Sequence, residues 1–254
     1  MRRPLAGKTI IVTRSQNQAR PFAAELSKSG ARVILAPTIR IAPPSSYNKL
    51  DAALRDLKSY DCVMFTSQNA VDHFFKRWRR LRRPQKPPKL FAVGPQTAES
   101  LRRHGWRAAR FPEVYRGEAL AKAVGDVRGR RILLPRAKKG REILPRLLRN
   151  AGAKVAVVEA YRNLPDARGA RRVRLLSRSR KIDAVTFTSP STVEQFAAQI
   201  GRTACRRIFR KAMAASIGPV TSKALRSYGI KPIIQAEEAT IKSLLKALAR
   251  ALGK

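Results

Sequence analysis

Two stretches decide how this chain folds. The first is Tyr60-Asp61-Cys62-Val63-Met64-Phe65-Thr66-Ser67-Gln68-Asn69-Ala70-Val71. The second is Ile182-Asp183-Ala184-Val185-Thr186-Phe187-Thr188-Ser189-Pro190-Ser191-Thr192-Val193. Each reads as an Asp, a short apolar run, Phe-Thr-Ser, and the start of a helix. The run has the length and composition of a buried strand. Thr and Ser at its end are helix N-cap types. Each copy is therefore a strand-to-helix turn that offers hydroxyls and backbone N–H groups at one place.

Phe187 follows Phe65 at an offset of 122, and other pairs keep it: Arg14 with Arg136, Leu26 with Leu148, Gly30 with Gly152, Val33 with Val155. Further on the offset becomes 124, with Gly94-Pro95 answered by Gly218-Pro219 and Gly105 by Gly229. The same units recur in the same order, so the molecule is a duplicated α/β protein.

The 254 residues allow two domains of ordinary size, and a hydrophobic fraction of 44% marks a globular chain. The two cysteines, Cys62 and Cys205, have no paired spacing, which points to a reducing cytoplasm rather than a disulfide. His73 and His104 fall on predicted helices, too isolated for a metal site, and are read as surface or helix-flank residues. No secretory apolar region follows Met1-Arg2-Arg3-Pro4, and no apolar run approaches membrane-spanning length.

Charge is the unusual property: 55 Lys+Arg against 16 Asp+Glu, formally +39. Such a field attracts polyanions, either nucleic acid or a polycarboxylate. One basic cluster, Arg77 to Arg83, lies at a predicted helix end and loop. Another, Arg168 to Arg180, lines a predicted helix. Neither carries the interleaved aromatics of a base-stacking surface, so nucleic acid is not the expected partner and most of the charge is read as general basicity.

Strands are predicted at Lys8–Thr13, Ala31–Ala36, Asp61–Phe65, Leu90–Val93, near Ala109, Arg131–Arg136, Lys154–Glu159, Asp183–Phe187, Ala212–Ile217 and Lys231–Gln235, with helices between them. Alternation of this kind implies open parallel sheets flanked by helices. The count is five strands per domain: two similar α/β domains, with a cleft between them where two carboxyl edges can face one another. Two divisions of the chain fit. The halves are tandem, splitting near residue 127; or 44–158 is one domain, 1–37 plus 166–254 the other, and 38–43 and 159–165 connect them.

A strand-to-helix turn bearing Ser or Thr is a ready anion site, because N–H groups and the positive helix end converge there. Thr66-Ser67, Gly94-Pro95-Gln96-Thr97, Thr188-Ser189 and Gly218-Pro219-Val220-Thr221 supply four. Each hydroxyl taken alone is better explained as a cap for its own helix. Four matching turns in two copies favour a shared ligand edge. Nucleotide-binding glycine loops, the nucleophile elbow and a paired general acid and base are all missing from the sequence. What remains is a cleft that positions an anionic ligand.

The chain resembles uroporphyrinogen-III synthases over nearly its full length. The residues that carry the resemblance are Val12-Thr13-Arg14, Phe65 to Val71, Val93-Gly94-Pro95-Gln96-Thr97-Ala98, Glu159-Ala160-Tyr161, Phe187-Thr188-Ser189-Pro190 and Ile217-Gly218-Pro219-Val220-Thr221. The resemblance implies the discontinuous arrangement, with the connectors forming a two-stranded ladder. It implies a cyclising hydro-lyase of haem biosynthesis. Hydroxymethylbilane, an octacarboxylate, loses water and closes with its last pyrrole inverted, without cofactor or metal. It implies Tyr161 as donor to the leaving hydroxyl; without it, Tyr161 reads as a connector aromatic packed at the domain junction. Substrate carboxylates are assigned to Thr66, Ser67, Thr97, Thr188, Ser189 and Thr221, with Arg14 and Arg136 at strand ends. The expected protein is a cytoplasmic monomer, open to transient contact with the enzyme that makes the bilane. The competing reading is a non-catalytic polyanion-binding protein, for nucleic acid or as a tetrapyrrole sensor.

Overall fold

The computed structural model describes residues 3–81, 87–109, 112, 117–179, 182–231 and 233–253. Arg82, Arg83, most of the segment Phe111 to Tyr115, and Arg180 lie outside the described residues, as does the side chain of Arg178.

The chain opens with β1 (Thr9–Val12), α1 (Gln16–Lys28), β2 (Arg32–Leu35) and β3 (Ile39–Ala42). It continues through α2 (Asn48–Arg55), β4 (Cys62–Phe65), α3 (Gln68–Arg80), β5 (Lys89–Ala92), α4 (Pro95–Arg103) and α5 (Gly117–Ala123). Then come β6 (Arg131–Ala137), α6 (Ile143–Asn150), β7 (Lys154–Pro165), α7 (Ala167–Ser179), β8 (Ala184–Phe187) and α8 (Pro190–Ile200). The last elements are α9 (Arg202–Phe209), β9 (Met213–Ser216), α10 (Pro219–Ser227), β10 (Ile233–Gln235) and α11 (Ile241–Leu252).

The chain divides into two compact units, Met1–Arg40 with Leu164–Lys254, and Ile41–Asn163. The first holds a five-stranded sheet in the order β10-β9-β8-β1-β2, with parallel pairing throughout. Alternate residues of its strands point to opposite faces. Ile11, Val185 and Phe187 enter one core, while Ile10, Val12 and Ala184 enter the other. Helices cover both faces, which is why these strands are apolar runs rather than alternating ones.

The second sheet has the order β3-β7-β6-β4-β5. Its pairs among β7, β6, β4 and β5 are parallel. Val63 and Phe65 face one core, Cys62 and Met64 the other. Among the described residues the fifth strand is β3; the strand expected near Ala109 falls partly on Arg110 and Phe111, outside the described residues. Ala109 makes one bond, from its N–H to the Leu90 carbonyl at 2.7 Å, and one bond beside an edge strand builds no ladder. On the other edge, Ser45 N–H reaches Glu159 at 2.8 Å, Arg162 reaches the Pro43 carbonyl at 3.0 Å, and Asp166 N–H reaches the Thr38 carbonyl at 2.9 Å. The partners fall along β7 as they rise beside β3, so these two stretches run antiparallel.

The duplication reaches into side-chain packing. Phe65 meets Phe74 edge to face at 5.3 Å, and Phe187 meets Phe196 edge to face at 5.2 Å, again 122 residues on. Gly30 and Gly152 close the helices α1 and α6 at φ +92 and +87, a left-handed conformation at which a side chain is strained. Helix α9 is absent from the expected elements. It forms because Cys205, Ile208 and Phe209, at helical spacing, enter the core that holds Ala170, Val173 and Ile200.

Candidate functional site

In the unit Ile41–Asn163 the Phe-Thr-Ser turn closes β4 and opens α3. Ser67 adopts an extended conformation, and its Oγ accepts the Ala70 N–H at 3.2 Å. Such a cap contributes about 1 kcal/mol. The Tyr161 hydroxyl lies 3.1 Å from the same Oγ. Tyr161 is carried there by β7, which pairs with β6, and its carbonyl accepts the Lys138 N–H at 3.1 Å. The ring is 6% exposed. Burial pushes the phenol above the ordinary tyrosine value, and hydrogen bonds with Ser67 and Asn69 offset part of that rise. The phenol is therefore protonated at neutral pH.

His73, one turn into α3, stacks on Tyr161 with ring centroids 5.8 Å apart. It is not the surface residue expected. Burial lowers its basicity, the nearby Lys76 lowers it further, and Asp72 acts the other way. His104 is likewise packed rather than peripheral, stacking on Phe75 at 5.2 Å. Its Nε2 sits 2.9 Å from Asp72 Oδ1, which also accepts the Ser100 hydroxyl at 2.8 Å. These bonds join α3 to α4. At the first residues of the same helices, Gln68 donates to Gln96 at 2.9 Å, so the Thr66-Ser67 and Gly94-Pro95 turns are tied together.

Thr66 is half-buried, whereas Thr97 is buried inside the first turn of α4. Arg136 ends β6 with its charge engaged by its own loop. It pairs with Glu142 and donates to the Arg141 carbonyl at 2.9 Å, and Gly140 leaves room for its side chain. Its Nε is buried without a hydrogen-bond partner among the described residues.

In the other unit, Ser189 repeats Ser67. Its Oγ accepts the Thr192 N–H at 3.3 Å and lies 3.0 Å from the Ser191 hydroxyl. Thr188 and Ser189 are half-buried. Thr221 is buried in the first turn of α10, beside Ser222, whose hydroxyl bonds Ser216 at 2.6 Å. Arg14 follows β1, half-buried, with Nε donating to Gln18 at 3.3 Å. Burial lowers its guanidinium from 12.5 to about 10. Among the described residues no group of three His, Cys, Asp or Glu side chains could hold a metal ion, and no helix is long and apolar enough to cross a membrane.

The sequence assigns Ser67 to a substrate carboxylate and, through the resemblance, Tyr161 to the leaving hydroxyl, and the fold places their hydroxyls 3.1 Å apart. The stacking of His73 on Tyr161 is not legible in the sequence, since a ring contact across 88 residues (161 − 73) leaves no local signal.

Fold and turns define an α/β protein of two related units, whose capped strand-to-helix turns suit the recognition of anionic groups. Residues 20–246 match the family described as Uroporphyrinogen-III synthase HemD. The chain is 35% identical over 256 residues to the uroporphyrinogen-III synthase of Synechococcus elongatus, spanning 96% of each. It is 31% identical over 252 residues to that of Chlorobaculum parvum, spanning 96% of this chain and 99% of the relative. The chain belongs to the uroporphyrinogen-III synthase family, cyclising hydro-lyases of tetrapyrrole biosynthesis. Solved structures agree on the fold. A mutant uroporphyrinogen III synthase from Thermus thermophilus matches with a TM-score of 0.70 at 22% identity, covering 97% of this chain and 99% of that one. The enzyme from Helicobacter pylori matches with a TM-score of 0.65 at 19% identity, covering 96% and 99%.

Proposed function

We propose that this chain converts hydroxymethylbilane into uroporphyrinogen III, with Tyr161 as the donor to the departing hydroxyl. The carbon–oxygen bond of the hydroxymethyl group breaks and water leaves. The substrate's own pyrrole nitrogens stabilise the cation that remains. The last pyrrole then closes the ring in inverted orientation. This is control by positioning, and it needs no bound cofactor or metal.

The observation that carries this reading is the 3.1 Å contact between Tyr161 and Ser67. Ser67 Oγ accepts the Ala70 N–H, so its own proton can point to the Tyr161 oxygen. The phenol proton is then available for the leaving hydroxyl. Substrate carboxylates are received at the turns of Thr66, Ser67, Thr97, Thr188, Ser189 and Thr221 and by Arg14 and Arg136. The buried Thr97 and Thr221 give their own N–H groups to the Gly94 and Gly218 carbonyls, so at those turns the donors are the preceding N–H groups, of Gln96 and Val220. The protein works as a monomer in the cytoplasm, in keeping with two buried free cysteines, and meets the bilane-producing enzyme only transiently.

The test couples a bilane-producing enzyme to this one and separates the isomers formed. Type III product is expected. Type I product alone, which is what unassisted closure of the bilane yields, would overturn the assignment.

A further inference from the structure

The arginines of α7 and those of α9 lie apart in sequence, but folding packs the two helices against one core. Helix α7 turns Ala170 and Val173 into the core, and α9 turns Cys205, Ile208 and Phe209 into the same core. Their opposite faces carry the charge. Arg168, Arg171, Arg172 and Arg174 are exposed on α7; Arg202, Arg206 and Arg207 are exposed on α9. The 13 residues of α7 and the 8 of α9 contain eight arginines (five and three) and no Asp or Glu. The chain as a whole carries a net +39 over 254 residues, which would give about three for 21 residues (39 × 21/254). Residue for residue, the two helices are thus more than twice as basic as the chain.

Between the two helices lies a cavity of about 330 Å³, lined by Arg174, Arg202 and Arg207 together with Thr203 and the backbone at Gly201. It belongs to neither the Thr188-Ser189 turn nor the edge on which that turn lies. Helix α8 starts at that turn and runs 11 residues back along the sheet, roughly 16 Å at about 1.5 Å per residue, before reaching Gly201. The cavity therefore sits at the opposite end of this unit, and α7 leads from it back to the carboxyl edge, where Arg168 pairs with Asp166 and Arg172 donates to the Leu35 carbonyl at 3.3 Å.

The geometry points to an interaction surface for a phosphodiester backbone: α7 and α9 together dock nucleic acid through its phosphates, independently of sequence. Arginine is suited to this because its planar fork grips phosphate oxygens in pairs. Neither helix offers an aromatic side chain for base stacking except Phe209, which is buried, so the bases are not read. The open depression admits one phosphate group among three guanidinium-bearing side chains, and Arg171 and Arg172 continue the contact along α7 on one side. The inference does not depend on the catalytic reading.

The experiment uses the full chain and fluorescently labelled duplex and single-stranded oligonucleotides of unrelated sequence, titrated at several salt concentrations. Binding is expected to weaken steeply with salt and to be indifferent to sequence. Arg171, Arg174, Arg202 and Arg207 replaced together by Gln should weaken it at least about tenfold and lower the log–log salt slope by about 3.6 (four times about 0.9). The same four positions changed to Lys should keep most of the binding. Lys122, Arg130, Arg146 and Lys154, exposed in the other unit, replaced by Gln remove the same charge and should change affinity less than about twofold. Uroporphyrinogen-III formation should be unchanged in all variants, which also shows that they fold. Equal loss in both Gln variants would assign the binding to net charge alone and overturn the proposal. So would equally tight capture of polyglutamate, or no binding near physiological salt.

Discussion

The hydroxyl of Tyr161 and the Oγ of Ser67 stand 3.1 Å apart, and that Oγ also caps helix α3 through the Ala70 N–H. One serine thus holds both the start of a helix and the phenol proposed to assist departure of water. Tyr161→Phe removes one oxygen and keeps a ring that is almost wholly buried. Turnover should fall by one to two powers of ten, roughly 1.4 to 2.7 kcal/mol of transition-state stabilisation, while KM changes little. The comparison to make is turnover beside melting temperature. Lost activity with a matching loss of melting temperature would return Tyr161 to a packing role.

His73 lies flat against Tyr161 and is held toward its neutral form by burial. Its depressed folded-state basicity means the unfolded chain takes up a proton first as pH falls. The stability it contributes is therefore complete above the ordinary histidine value near ~6.5 and is lost as pH drops through the lower folded value. His73→Phe keeps the stacked ring and removes the titration. Denaturant midpoints between pH 5 and 7.5 should fall less steeply for this variant than for the parent. Parallel curves would show that folding does not lower the basicity of His73. His73→Ala should lower turnover more than His73→Phe, because only the former frees the Tyr161 ring.

The fold is legible wherever the signal is local. The Phe-Thr-Ser turns, their caps and the helices they open are written in contiguous residues, and the offset of 122 extends to the aromatic pairs Phe65–Phe74 and Phe187–Phe196. Non-local pairing is not legible in this way. Strand β3 completes its sheet through partners on β7 more than a hundred residues away, and nothing in its own residues marks that pairing. Helix α9 was hidden because its arginines mask a short apolar face. At the site, the hydroxyl positions follow from N-cap chemistry, but the burial of Thr97 and Thr221 and the closure of Arg136 onto Glu142 depend on how each loop packs.

Strand pairing tells which fragment should fold. We propose that residues 41–163 form an autonomous domain. They retain β4, β5, β6 and most of β7 with both of their cores. Residues 1–126 keep β4 without its neighbour β6, and β1 without its neighbour β8. Residues 41–163 should unfold cooperatively in urea, with a slope of about 1 to 2 kcal/mol per M, and residues 1–126 should show no transition. The reverse pattern would favour a tandem split of the chain.

Arg14 separates binding from structure. Burial lowers its guanidinium to about 10, so it remains charged at neutral pH while the fold disfavours that charge. The side-chain bond at its Nε is a long one, 3.3 Å to the neutral Gln18, which replaces little of the lost hydration. A substrate carboxylate would supply an acidic partner, through a charged hydrogen bond of roughly 1.5 to 3 kcal/mol. Arg14→Met keeps the apolar stem and removes the charge. The free protein should then melt at the same temperature or higher, while KM for the bilane rises roughly tenfold to a hundredfold. Arg14→Lys should lie between the two, since a point charge replaces the fork. Because the lowered value still lies well above neutrality, the difference between parent and variant should not vary between pH 6 and 8. An unchanged KM with a lower melting temperature would show that Arg14 serves the fold and not the substrate.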